Sequence, residues 1–347
     1  MATIYDLVTA ENVTSYWREL NQNQQPYLGE TLFPIQKQLG TNLKWIKGAS
    51  NQPVGIRLSS FDAKSIRRDR EGIEEFSTKM PFFKESVYVD EDMRQQLNNF
   101  IDANKPEIVD RILSRIFNDE AKLIDATGVT LERMRMEALT TGTITLSSNG
   151  QGYTYDYEVP VSQKITVTKS WDDPTADIIG DINSYKDLMK AKGVTLTRAV
   201  CNSTVLKNMA KNTAMKNAIY VFAGGTVNIT SEVARRYLES ETGISIYAYD
   251  NVYVDESKVA HKYIPDNTIV FMPDGTLGYT NLGTTPEESD LINNLNAEVS
   301  IVNEGVAVTT SQMVDPVNVD TKVSMIALPS FEEADKIVIV DTEAVSA

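Results

Sequence analysis

The stretch from Asn104 to Leu146 constrains this chain more than any other. Pro106 suits the first position of a helix, where its missing N–H has no partner to lose and its φ is already helical. Apolar side chains then recur at steps of three and four residues: Val109, Ile112, Leu113, Ile116, Phe117, Leu123 and Ile124. That period lays one apolar stripe along one side of a helix. Asp110, Arg111, Arg115, Asp119 and Lys122 fall on the opposite side, toward water or a charged neighbour. Thr127, Gly128, Val129 and Thr130 interrupt the pattern, and glycine among β-branched residues predicts a kink or break there. The stripe resumes at Leu131, Met134, Met136, Ala138 and Leu139, Gly142 ends the helix, and Thr143–Leu146 begins a strand. If nearly continuous, the element is roughly 50 Å long at about 1.5 Å per residue. The plain reading is a long core helix; a small enzyme domain rarely needs such a beam.

The remaining length is ample for about two or three domains with a sizeable core. The longest uninterrupted apolar run, Ala218–Ala223, is too short to span a bilayer. The first residues lack a basic start followed by an apolar stretch, so no secretory signal is expected. Cys201 is the only cysteine, which excludes an intrachain disulfide and fits synthesis in a reducing cytoplasm. Net charge is −15, unevenly spread. Residues 1–140 carry 18 basic and 21 acidic side chains, whereas residues 263–347 carry 14 acidic ones against only Lys322 and Lys336. A chain that grips phosphates concentrates Lys and Arg on a surface. This one does the reverse, which argues against sequence-specific nucleic-acid binding. The acidity confers solubility, or keeps a surface from sticking to nucleic acid.

Taken in order, Thr9 is placed to cap a short helix through Leu20, with Val13, Tyr16, Trp17 and Leu20 on one face. Residues 21–31 read as an extended connector. Leu43–Gly48 predicts a strand. Residues 49–79 are long, polar and poor in large apolar side chains, with Arg67, Arg68 and Arg70 alternating with Asp69 and Glu71. Strand-like arms, Trp45–Leu58 and Phe76–Val89, flank this segment. A hairpin of strands about 13 residues long would project about 40 Å. A lone two-stranded arm is marginal in water and needs something to lie on. The segment is therefore either a flexible surface loop or an arm that packs on another subunit.

Asn149-Gly150 between Thr143–Ser147 and Tyr153–Val159 is a hairpin signal, and Tyr153, Tyr155 and Tyr157 share one face. Ile165–Thr168 continues the sheet, and Trp171-Asp172-Asp173-Pro174 marks a boundary. A second compact region follows, from about 175 to 300. It holds a helix over Ala176–Ala191, a buried strand at Thr195–Cys201, a helix opened by Ser203 or Thr204, and a helix capped by Ser231. Strands are expected at Ile244–Tyr249, Val252–Val254, Thr268–Met272 and Thr276–Tyr279. Lys336–Val340 is a strong strand, expected to return beside the long helix.

The chain offers little chemistry. His261 is the only histidine and lies sixty residues from Cys201, which excludes the common zinc sites and makes a Cys/His dyad remote. Ala223-Gly224-Gly225 lacks the Lys-Ser/Thr of a phosphate loop. No carboxylate stands in an apolar setting that would raise its pKa. Asp172-Asp173 and Glu287-Glu288 read as solvated pairs, with Asp172-Asp173-Pro174 a remote cation candidate. No catalytic, metal or cofactor residue is assigned, and the chain is not expected to be an enzyme.

These parts together resemble the major capsid proteins of tailed phages, in particular the lambda-like head protein group (capsid protein E family) with the Hong Kong 97-type shell fold. Leu32-Phe33-Pro34 and Leu43–Gly48 look like that family's N-terminal arm leading into its extended loop. Met136–Gly142 looks like the end of its spine helix, and Trp171–Pro174 like the way into its axial domain. Ile264–Val270 resembles a strand start beyond that domain's central helices. Asp315-Pro316 with Met325–Pro329 looks like the final return into the peripheral sheet. The segments are individually unspecific; their order and spacing over about 300 residues carry the resemblance.

The resemblance implies an α+β fold: an N-terminal arm (1–44), an extended β-hairpin loop (45–89), a peripheral domain with the spine helix (90–170), an axial α/β domain (171–305) and a return to the peripheral domain (306–347). It implies self-assembly into hexamers and pentamers that close an icosahedral shell around double-stranded DNA, in a virion built in the host bacterial cytoplasm. Partners would be other copies, a portal, a separate scaffold and, in some relatives, a decoration protein; no membrane and no cofactor is implied. Arg67, Arg68, Arg70, Lys64, Glu74 and Glu75 are the candidate inter-subunit contacts. Some relatives cross-link a loop Lys to an Asn. Lys47, Lys64 and Lys79 lie in or near the loop, but no acidic partner can be assigned, so no cross-link is expected. The rival readings are an encapsulin-like compartment, which would enclose protein cargo, and a soluble enzyme with a cryptic carboxylate site.

Overall fold

The computed structural model describes residues 4–22, 24–46, 75–89, 91–103, 105–148, 150–220, 227–291, 297–314 and 317–344. Pro106–Thr141 is one helix of 36 residues with no break. The interruption expected at 127–130 is absent: the segment is packed, with Thr127 buried, and tertiary contacts override its weak helical propensity. Thr127 Oγ1 donates to the Ile124 carbonyl at 2.6 Å, and Thr130 Oγ1 donates to that of Ala126 at 2.9 Å. Gly128 has its own reason to be there: a Cβ on it would stand 3.4 Å from the Tyr27 ring. The helix ends at Gly142, whose φ of +76° is strained for other residues and whose N–H closes on Ala138.

The chain divides into two compact units. The first gathers Met1–Lys44, Ser77–Arg135 and Tyr279–Ser330. Its six-stranded sheet runs Ile35–Lys37, Thr280–Leu282, Val317–Pro329, Val306–Val314, Ala297–Val302, and Phe82–Tyr88 pairs with the free stretch of the long Val317–Pro329 strand. Ile116, Ile124, Leu131 and Met134 of the stripe are buried, while Val109, Ile112, Leu113, Leu123 and Phe117 are half-buried, Phe117 meeting Tyr16 with ring centroids 5.5 Å apart. Thr9 caps Ala10–Asn21 by accepting from the Asn12 N–H. Val13 on that helix is buried, but Leu20 is 52% exposed and lies off the packed face. The connector expected at 21–31 contains a short helix, Leu28–Leu32, because tertiary contacts seat Gly29 beside the long helix.

The predicted strand Phe76–Val89 divides at Met80-Pro81. Glu75–Lys79 pairs with Asn42–Ile46, and Phe82–Tyr88 enters the six-stranded sheet instead. The ladder passes across Met80, whose N–H donates to the Thr41 carbonyl, whereas Pro81 has no N–H to give. Residues 47–74, the greater part of the expected arm, lie outside the described residues.

The second unit gathers Trp45–Phe76, Met136–Gly278 and Phe331–Ala347. Its five-stranded sheet has the order Lys164–Thr166, Val338–Asp341, Thr268–Met272, Arg198–Cys201, Ser245–Ala248. Ile178–Lys190, Ser203–Met209 and Ser231–Thr242 supply its helices, with Ile182, Met189, Leu206 and Leu238 in one core with Trp171 and Phe271. Two of the sequence expectations are corrected here. The Lys336–Val340 run joins this sheet, Val338–Asp341 lying antiparallel to Thr268–Phe271 and parallel to Lys164–Thr166. Its side chains Val338, Ile339 and Val340 are all buried, which suits a central strand covered on both faces. The strand expected at Thr276–Tyr279 is Thr280–Leu282, in the first unit. Ser203 opens its helix as expected, behind the cap Asn202, and one cap shifts: Thr230, not Ser231, accepts the first helical N–H group. Thr143–Ser148 and Gln151–Asp156 form the expected hairpin, with Gly150 at φ +74° and Tyr153 stacked on Tyr155.

Candidate assembly site

The candidate contact residues fall at the extended segment. Arg67, Arg68, Arg70, Lys64 and Glu74 lie outside the described residues; Glu75 opens the strand that pairs with Asn42–Ile46. The described feet are therefore a two-stranded ribbon, and the strand beyond it, Phe82–Tyr88, exposes Phe82 and Tyr88.

The first unit holds buried charge that the apolar pattern does not announce. Arg135 is 1% exposed, with Nη1 3.6 Å from Glu132 and 4.0 Å from the half-exposed Glu30. Its Nε donates to the Thr280 hydroxyl, and that hydroxyl donates to the Phe33 carbonyl, both at 2.8 Å. Glu132 accepts from the Gly29 N–H at 3.0 Å. The residues leading into the loop are thus fastened to the long helix and to the sheet by a desolvated ion pair. Burying such a pair is costly unless each group is also hydrogen-bonded, and here Arg135 makes a hydrogen bond through Nε and Glu132 through Oε1.

Glu287 and Glu288 are not a solvated pair. Glu287 is buried and meets Lys322 Nζ at 2.6 Å, while Glu288 meets Lys37 Nζ at 2.5 Å. The expectation that no carboxylate has a raised pKa is also overturned. Glu120, buried on the long helix, is pushed up to about 7, chiefly by burial, with Asp119 adding to the rise and the Thr321 hydroxyl opposing it. Position spacing carried a signal: Glu120 lies four residues from both Ile116 and Ile124, on the apolar stripe itself.

In the second unit His261 Nε2 lies 2.9 Å from Asp255 and its ring stacks on Tyr253, both on an exposed two-stranded ribbon. Burial pushes the Cys201 thiol up to about 12, which suits a packed side chain and not a nucleophile. Asp173 spends its carboxylate on the Thr175 N–H and hydroxyl. Among the described residues no group of three or more His, Cys, Asp or Glu could hold a metal ion, and no helix is long and apolar enough to cross a membrane.

The construction is that of a structural subunit: a long helix against a sheet, a second α/β unit, a ribbon at the foot of a long polar segment, and fastening by buried charge. Residues 9–342 match the family described as phage major capsid protein E, and the chain belongs to that family. Solved structures agree on the fold over the whole length. A prophage protein of E. coli CFT073 assigned as a capsid protein shares 14% identity at a TM-score of 0.56, covering 95% of this chain and 98% of its own. A phage-related protein of Bordetella bronchiseptica RB50 shares 11% identity at a TM-score of 0.57, covering 98% and 99%. No curated protein matches by sequence. The fold is the Hong Kong 97-type capsid fold, the protein is a phage major capsid protein, and its place is the virion shell. Membership of a structural family agrees with a non-enzymatic role.

Proposed function

We propose that copies of this chain assemble as rings of five and six into a closed icosahedral shell, which encloses double-stranded DNA without reading its sequence. The observation that carries this reading is the match of residues 9–342 to a capsid family. The contacts between copies are heterologous, so one surface meets a different surface of the next copy and closure depends on geometry. We assign the N-terminal arm to 1–44, the extended loop to 45–89 up to its sheet strand Phe82–Tyr88, the peripheral domain to 90–135 and 279–330, and the axial domain to 136–278 and 331–347, in keeping with the two compact units. The extended loop, with Arg67, Arg68, Arg70, Lys64, Glu74 and Glu75, is the segment that reaches a neighbour. A portal, a separate scaffold and a decoration protein are the further partners, and the subunit carries out no catalysis. Negative-stain microscopy of the expressed protein tests the reading. Closed particles of uniform size are expected, whereas protein that stays monomeric at high concentration in every buffer tried would overturn it. Particles that form only around a copurified protein would instead mark a cargo compartment.

A further inference from the structure

Glu120 has no role in the assembly just described, yet it is a buried carboxyl with little to meet a charge. Its side chain is 1% exposed on the buried face of the long helix. One carboxyl oxygen accepts from the Thr321 hydroxyl at 2.8 Å, and the other has no hydrogen-bond partner among the described residues. Among the described residues no cation compensates it. Across the sheet, the residues in register with Thr321 are Thr310 and Val87, neither ionisable. Asp320 and Lys322 flank Thr321 on its strand and so point to the other face, where Lys322 is held by Glu287. The helix Ala10–Asn21 offers Tyr16 and Trp17 to the long helix, while its Glu11, Arg18 and Glu19 are exposed. On the long helix itself Asp119 is the neighbouring charge, and Lys122 is paired with it.

We propose that Glu120 is a proton-operated lock on the seat of the long helix: neutral, it closes the helix onto the six-stranded sheet, and charged, it loosens that contact. A carboxylic acid in this place needs one acceptor and one donor, whereas a carboxylate needs several donors or a cation and finds one hydroxyl. The shift of its pKa from the ordinary 4.5 to about 7 follows from the same geometry. In the folded chain the proton is held up to about pH 7; in the unfolded chain it leaves near 4.5. Stability is therefore fully present below about pH 4.5, falls as pH rises between those values, and changes no further above them on this account. The device repeats in every copy of a shell, so each subunit senses the same pH.

The test compares the full-length protein with E120Q, a neutral isostere that keeps the acceptor for Thr321. The ratio of their unfolding constants, from chemical denaturation, is expected to change by up to tenfold per pH unit between about pH 4.5 and 7 and to level off above. E120Q is expected to be the more resistant protein at about pH 8. A ratio independent of pH would overturn the proposal. Should E120Q fail to fold, infrared spectroscopy of the unaltered protein decides. A carbonyl band of a protonated buried carboxyl is expected at about pH 6 and gone by about pH 8.5, and its absence at pH 6 would equally overturn the lock. Neither readout depends on whether the protein forms shells.

Discussion

Arg135 donates to the Thr280 hydroxyl at 2.8 Å, so a fully buried guanidinium on the long helix is tied to the strand Thr280–Leu282. Thr280 passes the connection on to the Phe33 carbonyl, and Glu132 holds Gly29 from the other side. Three short contacts thereby fix where the chain leaves toward its extended segment.

Removing the cation alone leaves Glu132 buried without its partner. Arg135→Met is expected to cost about 3–5 kcal/mol, the usual penalty for breaking a buried pair from one side. Replacing Glu132 by Leu in the same chain should recover part of that loss. Urea unfolding of both variants checks this; a single variant within about 1 kcal/mol of the parent would mean that the pair is not desolvated.

Gly142 makes a second point of fixity. At φ +76° a Cβ would also stand 2.7 Å from Val159 Cγ2. Gly142→Ala is expected to lose about 1–2 kcal/mol to left-handed backbone strain and about 1–3 to crowding, unless Val159 shifts. In Gly142→Ala/Val159→Ala only the backbone part should remain, which thermal unfolding of the two variants separates.

The register of the long helix, its proline start and its glycine stop were legible in the residues, because period and termini are local properties. The continuity through Thr127–Thr130 was not, since it rests on packing that is not local, with Thr127 buried and Gly128 lying against the Tyr27 ring. Lys336–Val340 was legible as a strand but not as a neighbour of Thr268–Met272, because partner choice is a long-range property. Glu120, Glu132 and Arg135 were hidden for the same reason. Their spacing marks the buried side, but only Thr321, Gly29 and Thr280 explain how charge is tolerated there.

Burial along the helix also ranks two neighbouring substitutions. Ile116 is buried, whereas Phe117 is half-buried against Tyr16. Ile116→Ala should cost about 2–5 kcal/mol. Phe117→Ala, whose ring keeps a solvent side, should cost less than the full 3–5 kcal/mol or so of a buried phenylalanine and leave soluble protein. Denaturation midpoints of the two variants check the order, and a reversed order would move the apolar seat of the helix toward Phe117.

The last prediction concerns Arg67, Arg68 and Arg70, three arginines in four residues interleaved with Asp69 and Glu71. An exposed ion pair within one chain contributes only about 0–1 kcal/mol. Between copies the balance differs, because the acidic charge of the molecule is concentrated after residue 263, where Lys322 and Lys336 are the only cations. Both are already engaged, Lys322 with Glu287 at 2.6 Å and Lys336 with Glu333 at 2.5 Å, and although Lys37 takes Glu288 and Lys262 takes Asp266, the region keeps a large excess of acid over base. A segment that reaches a neighbour can set guanidiniums against such a surface, and arginine matches carboxylates better than lysine does. The contact recurs with every copy, so a small contribution per copy decides whether a shell closes. Reversing all three to Glu is expected to abolish closed particles in electron micrographs while leaving subunit stability within about 0.5 kcal/mol, as for other surface changes. Assembly of the unaltered protein should also weaken toward about 1 M salt, where screening shortens to about 3 Å. Reversed-charge protein that builds shells as readily as the parent at both low and high salt would remove these arginines from assembly.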